Sequence, residues 1–361
     1  MHYRRHCKTA AVALAALCLL TGCAKKEAAP QATATAVQPA ATVAPELSKY
    51  SLTYLELFDT VTTVTGYAES REAFRAKADG VRDILAQYHK LFDIYNDYEG
   101  VKGVKAVNDA AGKEPVAVEP EVIELIEFAR AFAEESHGKC DISMGPVLLL
   151  WHNAREAGIA DPEHAALPAE DALKEALTHT GFDKVVVDKE AGTVFLTDPQ
   201  ARLDVGAIAK GWAAEQVRRN AAEGLLISVG GNVVVTGPKA DGSKWRIGVQ
   251  NPDDLSGYVS SVGLTHGSVV TSGDYQRYYT VDGVNYHHIL DPDTLYPGTK
   301  YRGVTVFTED SAVADALSTS VFLLGEEEGR ALLKAHDAEG LWILPDGTMH
   351  MTEGYKTLSE G

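Results

Sequence analysis

Four segments of the chain place their hydrophobic residues on one face of a helix. Apolar side chains recur three and four positions apart in residues 71–92, 121–135, 311–324 and 327–336. One side of a helix presents this spacing to a core. Pro120 precedes the second segment, where the first turn of a helix tolerates proline. We therefore predict two helices early in the chain and two late.

The middle of the chain has the patterns typical of strands. Residues 52–67 alternate and are rich in threonine and valine, and two apolar runs within 185–196 flank the turn sequence DKEAG. Strands and turns continue through 225–306, and a last hairpin surrounds PDGT. Helices at both ends with strands between them favour an α+β fold, with mixed or antiparallel sheets and packed helices, over alternating βαβ units.

The first residues have the pattern of an export signal. Three basic residues precede an apolar run, 9–20, that is too short to span a bilayer. Small residues then meet Cys23, as in bacterial lipoprotein signals. We predict a signal peptide over 1–22 and lipidation of Cys23. An ordinary secretory peptide with an incidental cysteine is the alternative.

Residues 23–46 are mostly alanine, threonine, proline, glutamine and lysine, a composition typical of a flexible tether. The folded domain is predicted over 47–361. Several acyl chains on Cys23 would anchor the protein stably. We expect an exported protein held at the inner membrane and facing the periplasm. Only Cys140 would then remain as a free thiol, so no internal disulfide is expected.

The chain is acidic, with a formal charge of -18. Removal of the three basic residues of the signal would take this charge to -21. Nucleic acid needs a basic surface, so no nucleic-acid partner is expected. An anionic ligand would need a local cation, a helix N-terminus or a metal. The sequence has no zinc-site spacing, no GxSxG and no CxxC, and HGKCD around Cys140 is a weak candidate for a catalytic cysteine.

Residues 203–217, LDVGAIAKGWAAEQV, have the pattern of a strand, a glycine turn and a helix. The strand-like segment ends at Asp204, and Gly206 permits a tight turn. Such a turn can present backbone N–H groups to a phosphate. Lys210 and Gly211 are placed to add a cation and a close backbone approach. A purely structural turn before a helix is the alternative.

Residues 310–325, DSAVADALSTSVFLLG, have the pattern of a helix with Ser311 as its N-cap. Asp315 and Thr319 are four residues apart, so their oxygens lie on one helix face. A carboxylate and a hydroxyl there suit a hard cation such as Mg²⁺. The alternatives are an aspartate that complements the helix dipole and a packed threonine.

Residues 225–237, LLISVGGNVVVTG, place two glycines between apolar runs. The glycines permit a hairpin turn, or let a ligand approach the backbone closely.

A second hairpin is predicted around Asp282-Gly283, which lies between two β-favouring runs. A two-residue turn there pairs residues outward from Val281 and Val284 as far as Tyr275 and Leu290.

This register places Arg277 opposite His288 and directs the neighbouring His287 to the other face, since side chains alternate along a strand. The two histidines therefore cannot chelate one metal. Arg277 would hold His288 near neutral, as a general base should be. A packed strand histidine is the alternative.

The chain contains a series of short motifs: FDT (58–60), VND (107–109), GKCDISMGPVLLLW (138–151), DVGAIAKG (204–211), ISVGGN (227–232), TSGDYQRYY (271–279), HHILDPDT (287–294) and ADALSTSVFLLG (314–325). Together and in this order they resemble the FAD:protein FMN transferases, the ApbE-like family. The resemblance runs from about residue 52 to beyond 325, and implies the fold of that family.

The resemblance implies an enzyme that cuts the pyrophosphate of FAD and passes FMN to a threonine hydroxyl of a partner protein, releasing AMP. Such enzymes use Mg²⁺ and act on flavin-bearing subunits of membrane electron-transport complexes. The acceptor threonine lies in a Ser/Thr-Gly-Ala-Thr-like motif that this chain lacks, so the enzyme would act in trans. The alternatives are an FAD pyrophosphatase that yields FMN and AMP, and a non-catalytic FAD-binding lipoprotein.

The resemblance also assigns roles to individual residues. His288 would be the catalytic histidine, which takes the proton from the threonine hydroxyl or orients it. Mg²⁺ would be bound by Asp315, Thr319 and the backbone carbonyl of Ala207. The remaining residues would contact FAD or line its flavin and adenine pocket: Phe58, Tyr95, Ser143, Met144, Gly145, Asp204, Lys210, and Ile289 or Leu290.

Two positions depart from the family pattern. Asn232 stands where an aspartate usually follows the paired glycines, which weakens any charge role there. Leu295 replaces a glycine after Asp-Pro-x-Thr, so we expect that turn not to need a positive φ at residue 295.

Overall fold

The computed structural model describes residues 46–360. Its strands, in chain order, are β1 (Ser48–Leu57), β2 (Thr60–Ala68), β3 (Val116–Ala117), β4 (Val185–Asp188), β5 (Thr193–Leu196), β6 (Leu225–Val229), β7 (Asn232–Val235), β8 (Trp245–Gln250), β9 (Tyr258–Leu264), β10 (Gly267–Gly273), β11 (Tyr278–Val281), β12 (Val284–His287), β13 (Leu290–Asp291), β14 (Tyr296–Pro297), β15 (Gly303–Thr308), β16 (Glu339–Ile343) and β17 (Met349–Met351).

The helices of the same residues are α1 (Arg71–Phe92), α2 (Val104–Asp109), α3 (Pro120–Glu135), α4 (Gly145–Ala160), α5 (Glu170–Leu177), α6 (Ala209–Asn220), α7 (Ser311–Leu323), α8 (Glu326–Ala335) and α9 (Glu353–Glu360). Three short 3₁₀ turns lie at Ile142–Met144, Pro162–His164 and Phe182–Lys184.

An eight-stranded antiparallel sheet forms the centre of the fold, in the order β1-β2-β6-β7-β10-β15-β16-β17. Smaller antiparallel sheets pair β11 with β12, β13 with β14, β8 with β9, and β3 with β5 and β4. The predicted α+β class, with antiparallel sheets and packed helices, is confirmed. The predicted signal peptide, the lipidated Cys23 and all of the tether except Glu46 lie outside the described residues.

The predicted helices are confirmed within one or two residues, but two strand predictions are wrong. Residues 52–67 form a hairpin, β1 and β2, rather than one strand, because Phe58 and Asp59 both adopt positive φ values, +54° and +49°. Phe58 is not a typical residue at such angles, so the turn carried little sequence signal. The segment before Asp204 joins no ladder and is not a strand.

The β11–β12 hairpin is confirmed, with its turn at Asp282-Gly283 and pairs from Val281–Val284 to Tyr278–His287. Its predicted extension to Tyr275 and Leu290 is wrong. Leu290 instead pairs with Pro297 in the β13–β14 ladder. The chain leaves the hairpin because the N–H of Ile289 donates to Nδ1 of His287, at 3.2 Å.

Leu295 has a φ of +63°, so the expectation that this turn avoids a positive φ is wrong. The side chain is 8% exposed and packs in an apolar cluster with Trp151, whose indole N–H donates to the Leu295 carbonyl at 2.9 Å. Burial of the side chain and this hydrogen bond offset the cost of the left-handed backbone, roughly 1–2 kcal/mol.

Helix α7 is capped by Asp310, not by Ser311 as predicted. The Asp310 carboxylate accepts from the N–H groups of Ala312 and Val313, at 2.8 and 3.2 Å. The N–H of Ser311 donates to the buried carboxylate of Glu215 on α6, at 3.1 Å. The start of α7 is therefore satisfied from two elements, which fixes its position against α6.

Two hydroxyl pairs join α7 to the strand beneath it. Ser268 and Ser272 of β10 bond to Ser311 and Ser318 of α7, at 3.1 and 2.9 Å. Because these groups are largely buried, sliding α7 along β10 would leave them unpaired. The register of α7 is thereby fixed.

The buried apolar residues form three clusters. The largest lies between the central sheet and helices that include α1, α6 and α7. The smallest joins α4 to the β11–β12 hairpin through Trp151, Tyr279 and their neighbours. Within residues 46–360, no helix has the length and apolar character that crossing a bilayer requires.

Candidate active site

An open cavity of about 1090 Å³ lies between the β1–β2 turn, the start of α6, α7 and the end of β12. Most residues that the sequence assigned to the site line this cavity: Phe58, Tyr95, Met144, Asp204, Ala207, Lys210, His288, Ile289, Leu290, Asp315 and Thr319. The fold therefore brings together residues that are up to 261 positions apart, from Phe58 to Thr319.

Ser143 and Gly145 do not line the cavity, which corrects their predicted place in its wall. The Ser143 hydroxyl is buried and accepts from the N–H of Gly181, at 2.8 Å. A side chain at Gly145 would collide with the carbonyl of Arg202. Both residues hold the chain on either side of Met144, whose side chain does reach the cavity.

Phe58 is held in its strained turn by His89. The N–H of Phe58 donates to Nδ1 of His89, at 3.2 Å, so the His89 proton lies on Nε2. His89 Nε2 is 3.0 Å from the Tyr98 hydroxyl, which donates to Asp93 at 2.7 Å. The sequence analysis missed this network, because its members give no local pattern and meet only when α1 packs against the β1–β2 turn.

Tyr95 is half exposed at the cavity and stacks on His152, with ring centroids 5.1 Å apart. The side chains of these two residues present a flat aromatic surface to a planar ligand.

The loop before α6 is shaped by Asp204. Its N–H donates to the carbonyl of Ile142, at 2.8 Å, and its carboxylate accepts from the N–H of Gly206, at 2.9 Å. Lys210, in the first turn of α6, donates to the carbonyl of Gly206, at 3.1 Å. A cation and a helix N-terminus thus face the cavity together, a combination that favours a phosphate.

Asp315 lies on the buried face of α7, against α6. One of its carboxylate oxygens, Oδ2, accepts from the N–H of Gly211, at 2.7 Å, and is 3.7 Å from the ammonium of Lys210. A Cβ at residue 211 would collide with Cβ of Asp315 and with the Ser311 carbonyl. Gly211 therefore serves the contact between two helices, not an approach to substrate.

Replacing Gly211 by alanine is expected to push α6 away from α7 and to lower the free energy of unfolding by about 1–3 kcal/mol, as in overpacked cores. The hydrogen bond to Asp315 would be lost with the contact. Gly80→Ala is the matched control, because nothing lies within 4 Å of its added Cβ. That helical substitution should stabilise by roughly 0.5–1 kcal/mol. Urea denaturation of both variants measures the difference, and equal stabilities would contradict the close contact.

The charge of Asp315 is only partly compensated. Burial raises its pKa, and Lys210 and the N–H of Gly211 act in the opposite direction. A carboxylate that is this buried is stabilised by a further cation.

The donors predicted for Mg²⁺ fit that ion chemically. The Asp315 carboxylate, the Thr319 hydroxyl and the Ala207 carbonyl are all oxygen donors of residues that line the cavity, and Mg²⁺ prefers oxygen and needs few protein ligands. The described part of the chain contains no group of three or more His, Cys, Asp or Glu residues suited to a metal. A site here would depend on one carboxylate.

Asn232 lies beside Asp315 at the end of the Gly230-Gly231 turn. Its side chain is 2% exposed, and its Nδ2 has no hydrogen-bond partner among the described residues. The Asn232 side chain nevertheless helps to lower the pKa of Asp315. Asn232 carries no charge, and it lines the cavity next to Asp315, the most buried carboxylate of the site.

Asn232→Asp is expected to destabilise the protein in EDTA, because two neighbouring buried carboxylates repel each other. The folded pKa of this pair would exceed the unfolded value of about 3.9, so stability should fall as pH rises above that value. Thermal unfolding at pH 5 and pH 8 measures the loss, with Asn285→Asp at an exposed hairpin position as control. A loss that Mg²⁺ fails to reduce would argue against a cation at Asp315.

His288 is partly buried at the cavity, where the β11–β12 hairpin ends. The backbone N–H of His288 donates to the Arg277 carbonyl at 3.1 Å, and the ring nitrogen Nδ1 is 3.3 Å from the same oxygen. Since a carbonyl only accepts, the proton lies on Nδ1 and Nε2 keeps its lone pair. Burial and the nearby Arg277 guanidinium lower the pKa of His288 to about 3. The imidazole is therefore a neutral base.

His287 is held by different partners. Its Nε2 donates to the Gly298 carbonyl at 2.7 Å, and its ring packs edge-on against Phe322 of α7. Both of its ring nitrogens are occupied, because Nδ1 accepts from Ile289. His287 connects the hairpin to α7. Of these two histidines, only His288 has a ring nitrogen that is free to accept a proton.

Lys139 is a further residue that the sequence analysis missed. Its ammonium is buried and bonds to Asp291 and Asp293, at 2.6 and 2.7 Å, and these carboxylates raise its pKa against the effect of burial. These two ion pairs connect the turn after His288 to the segment before α4.

Cys140 lines the cavity but is buried, and burial raises the pKa of its thiol above the usual range. We expect Cys140→Ala to keep activity within about twofold, because a neutral buried thiol is a poor nucleophile. Mass spectrometry of the peptide that carries Cys140 should find no iodoacetamide adduct before denaturation. Rapid alkylation of the native protein would contradict this assignment.

Comparisons with known proteins agree with this arrangement. Residues 58–342 match the model of the ApbE family. A protein of Treponema pallidum named FAD:protein FMN transferase is 35% identical over 299 residues, which cover 75% of this chain and 81% of that protein. A protein of Klebsiella pneumoniae with the same name is 28% identical over 358 residues, which cover 96% of this chain and 94% of that protein.

Solved structures give the same result. The crystal structure of the ApbE protein from Thermotoga maritima has a TM-score of 0.75 and 32% identity, and covers 86% of this chain and 99% of that one. The flavin transferase ApbE from Vibrio cholerae shares the fold, with a TM-score of 0.71, 24% identity, and coverage of 87% of this chain and all of that one. The chain belongs to the ApbE family.

Proposed function

We propose that the protein transfers FMN from FAD to a threonine hydroxyl of a partner protein, with Mg²⁺ bound in the cavity and AMP as the leaving group. The observation that carries this proposal is the placement of a neutral histidine base, a helix start with its lysine, and a buried carboxylate around one cavity. Relatives named FAD:protein FMN transferase support it.

His288 would act as the general base. Its Nε2 would accept the proton of the acceptor hydroxyl as that oxygen attacks the phosphorus of the FMN half of FAD. The bond between this phosphorus and the bridging oxygen breaks, and that oxygen leaves as part of AMP. The low pKa of His288 keeps Nε2 unprotonated before the attack.

The other groups would neutralise charge and position the substrate. The ammonium of Lys210 and the first turn of α6 would contact the pyrophosphate. Asp315, Thr319 and the Ala207 carbonyl would hold Mg²⁺, which polarises phosphorus and stabilises the leaving phosphate when bound. Tyr95 and Phe58 would stack on or border the ring systems of FAD.

The acceptor in this proposal is a flavin-bearing subunit of a membrane electron-transport complex. The protein itself would be exported, anchored through a lipidated Cys23 to the inner membrane, and would face the periplasm. The sequence pattern of residues 1–23 and the tether that follows support this location.

The test is an incubation of the full chain with FAD, Mg²⁺ and an acceptor domain that bears a Ser/Thr-Gly-Ala-Thr-like motif. Flavin fluorescence of the acceptor in a denaturing gel and release of AMP are the measurements. A fluorescent acceptor band that disappears with EDTA, and when the motif threonine is replaced by alanine, is the expected result.

Two other results would identify other functions. AMP and free FMN without a fluorescent band, for every acceptor offered, would indicate the FAD pyrophosphatase. Bound FAD with no AMP would indicate a binding lipoprotein.

A further inference from the structure

Three large apolar side chains stand exposed where the cavity opens. Leu55, Leu255 and Val61 are 71%, 56% and 53% exposed, and all three line the cavity that contains His288. They come from two separate elements, the β1–β2 hairpin and the loop between β8 and β9. We call Leu55, Val61 and Leu255 the apolar rim.

Leu55 is directed outward by an irregularity in β1. Tyr54 pairs with Thr62 and Leu57 pairs with Thr60, so Leu55 and the residue after it both oppose Val61. This bulge takes Leu55 out of the regular ladder, and it lies next to the cavity. Bulges often redirect a side chain beside an active site.

Leu255 is held in place although its loop is exposed. The Gln250 side chain donates to the Leu255 carbonyl, at 2.7 Å. Arg302 bonds to Asp253 in the loop and to Asp274 near the cavity, both at 2.8 Å. The loop is thus tied to the body of the protein, and Leu255 is presented at a defined position.

We propose that the apolar rim is the docking surface for the acceptor protein, and that it takes a short protruding segment with apolar side chains on both sides of its hydroxyl residue. This inference rests on the proposed function. The rim lines the same cavity as His288, and a hydroxyl that belongs to a folded protein has to enter this cavity from outside to reach Nε2 of His288. An acceptor segment that enters beside the exposed rim would contact it.

Exposed apolar side chains at such an opening favour a protein occupant. They lose contact with water when a partner covers them, and exposed apolar patches rimmed by polar residues mark protein interaction sites. A rim formed by two separate elements would contact the segment at more than one point, which restricts the direction in which it enters the cavity.

The experiment compares a triple variant of the rim, Leu55→Ser, Val61→Thr and Leu255→Ser, with a matched triple variant, Ile159→Ser, Leu177→Ser and Val186→Thr. The matched residues are also exposed and apolar, but they do not line the cavity. Three quantities are measured on the full chain: the affinity for FAD from flavin fluorescence, AMP release, and kcat/KM for the acceptor domain with the Ser/Thr-Gly-Ala-Thr-like motif.

We expect the rim variant to lose at least tenfold in kcat/KM for the acceptor while its affinity for FAD stays within twofold. The matched variant should retain both values. Unchanged kcat/KM in the rim variant would overturn the docking surface alone. A parallel loss of FAD affinity would overturn it too, because the rim would then belong to the FAD site. If the unaltered protein labels no acceptor, the proposed function fails and this inference fails with it.

Discussion

Replacing Asp315 by alanine is expected to lower the rate of AMP release by about 10²–10³-fold or more, the range seen when one group that stabilises transferred charge is removed. The reason is the position of this carboxylate: it is the only charged donor of the proposed Mg²⁺ site, and it also accepts the N–H that joins α6 to α7. Steady-state rates at several Mg²⁺ concentrations measure the effect, and excess Mg²⁺ should restore part of the rate.

Tyr95→Leu is the comparison for this prediction, since it removes a cavity aromatic without touching the charged groups. Its loss of AMP-release rate should be smaller than that of Asp315→Ala.

A second measurement separates the effect on catalysis from the effect on folding. Because burial raises the pKa of Asp315, Asp315→Asn should raise the Tm in EDTA even as it abolishes turnover. Near-normal turnover of Asp315→Ala at ordinary Mg²⁺ would rule out the proposed role.

His288→Ala should lower the rate of transfer to the acceptor by about 10²–10⁴-fold, the usual contribution of a positioned general base. The affinity for FAD should change little, because Nε2 faces the attacking hydroxyl and not the bound flavin in the proposed mechanism. Transfer rates and FAD binding are measured side by side. His266→Ala, an exposed histidine outside the cavity, is the control.

The pH dependence follows from the low pKa of His288, about 3. A base works when it is unprotonated, so its contribution is lost only as pH falls through that value. The rate should therefore show no acid limb near 6.5 from this residue. Arg277→Gln removes a cation that lowers the pKa, so the acid limb should move to higher pH. An acid limb near 6.5 that disappears in His288→Gln would contradict the assigned pKa.

Local sequence patterns predicted five of the helices of residues 46–360, whereas α2, α4, α5 and α9 were not predicted. The helical spacing in α1 and α3 and the Asp282-Gly283 turn act over a few residues, and the structure contains them as predicted. The β1–β2 turn was missed because its positive φ angles fall on Phe58 and Asp59, and His89, 31 residues away, supports it. The pairing of Leu290 with Pro297 was also missed, because its local turn has a positive φ at Leu295, a residue that gives no turn signal.

The sequence motifs identified most of the residues that meet at the cavity. They did not predict the contacts that each residue makes there. From its place near a glycine turn, Gly211 was expected to allow a close approach of substrate to the backbone. In the structure, the absence of a Cβ at Gly211 leaves room for Asp315. The unpaired donor of Asn232 and the Lys139–Asp291 pair depend on burial and on contacts across 152 positions of sequence. Such properties have no counterpart in a local pattern.

The left-handed backbone of Leu295 restricts which amino acids this position can accept. Glycine would relieve the backbone, but removing a buried leucine side chain costs roughly 2–5 kcal/mol, more than the roughly 1–2 kcal/mol gained. Valine and isoleucine would suffer more at a φ of +63°, since branching at Cβ crowds that conformation. Asparagine suits the backbone but not the apolar cluster around Trp151. Leucine and methionine combine an apolar side chain with an unbranched Cβ. In this chain, few amino acids can therefore replace Leu295 without loss of stability.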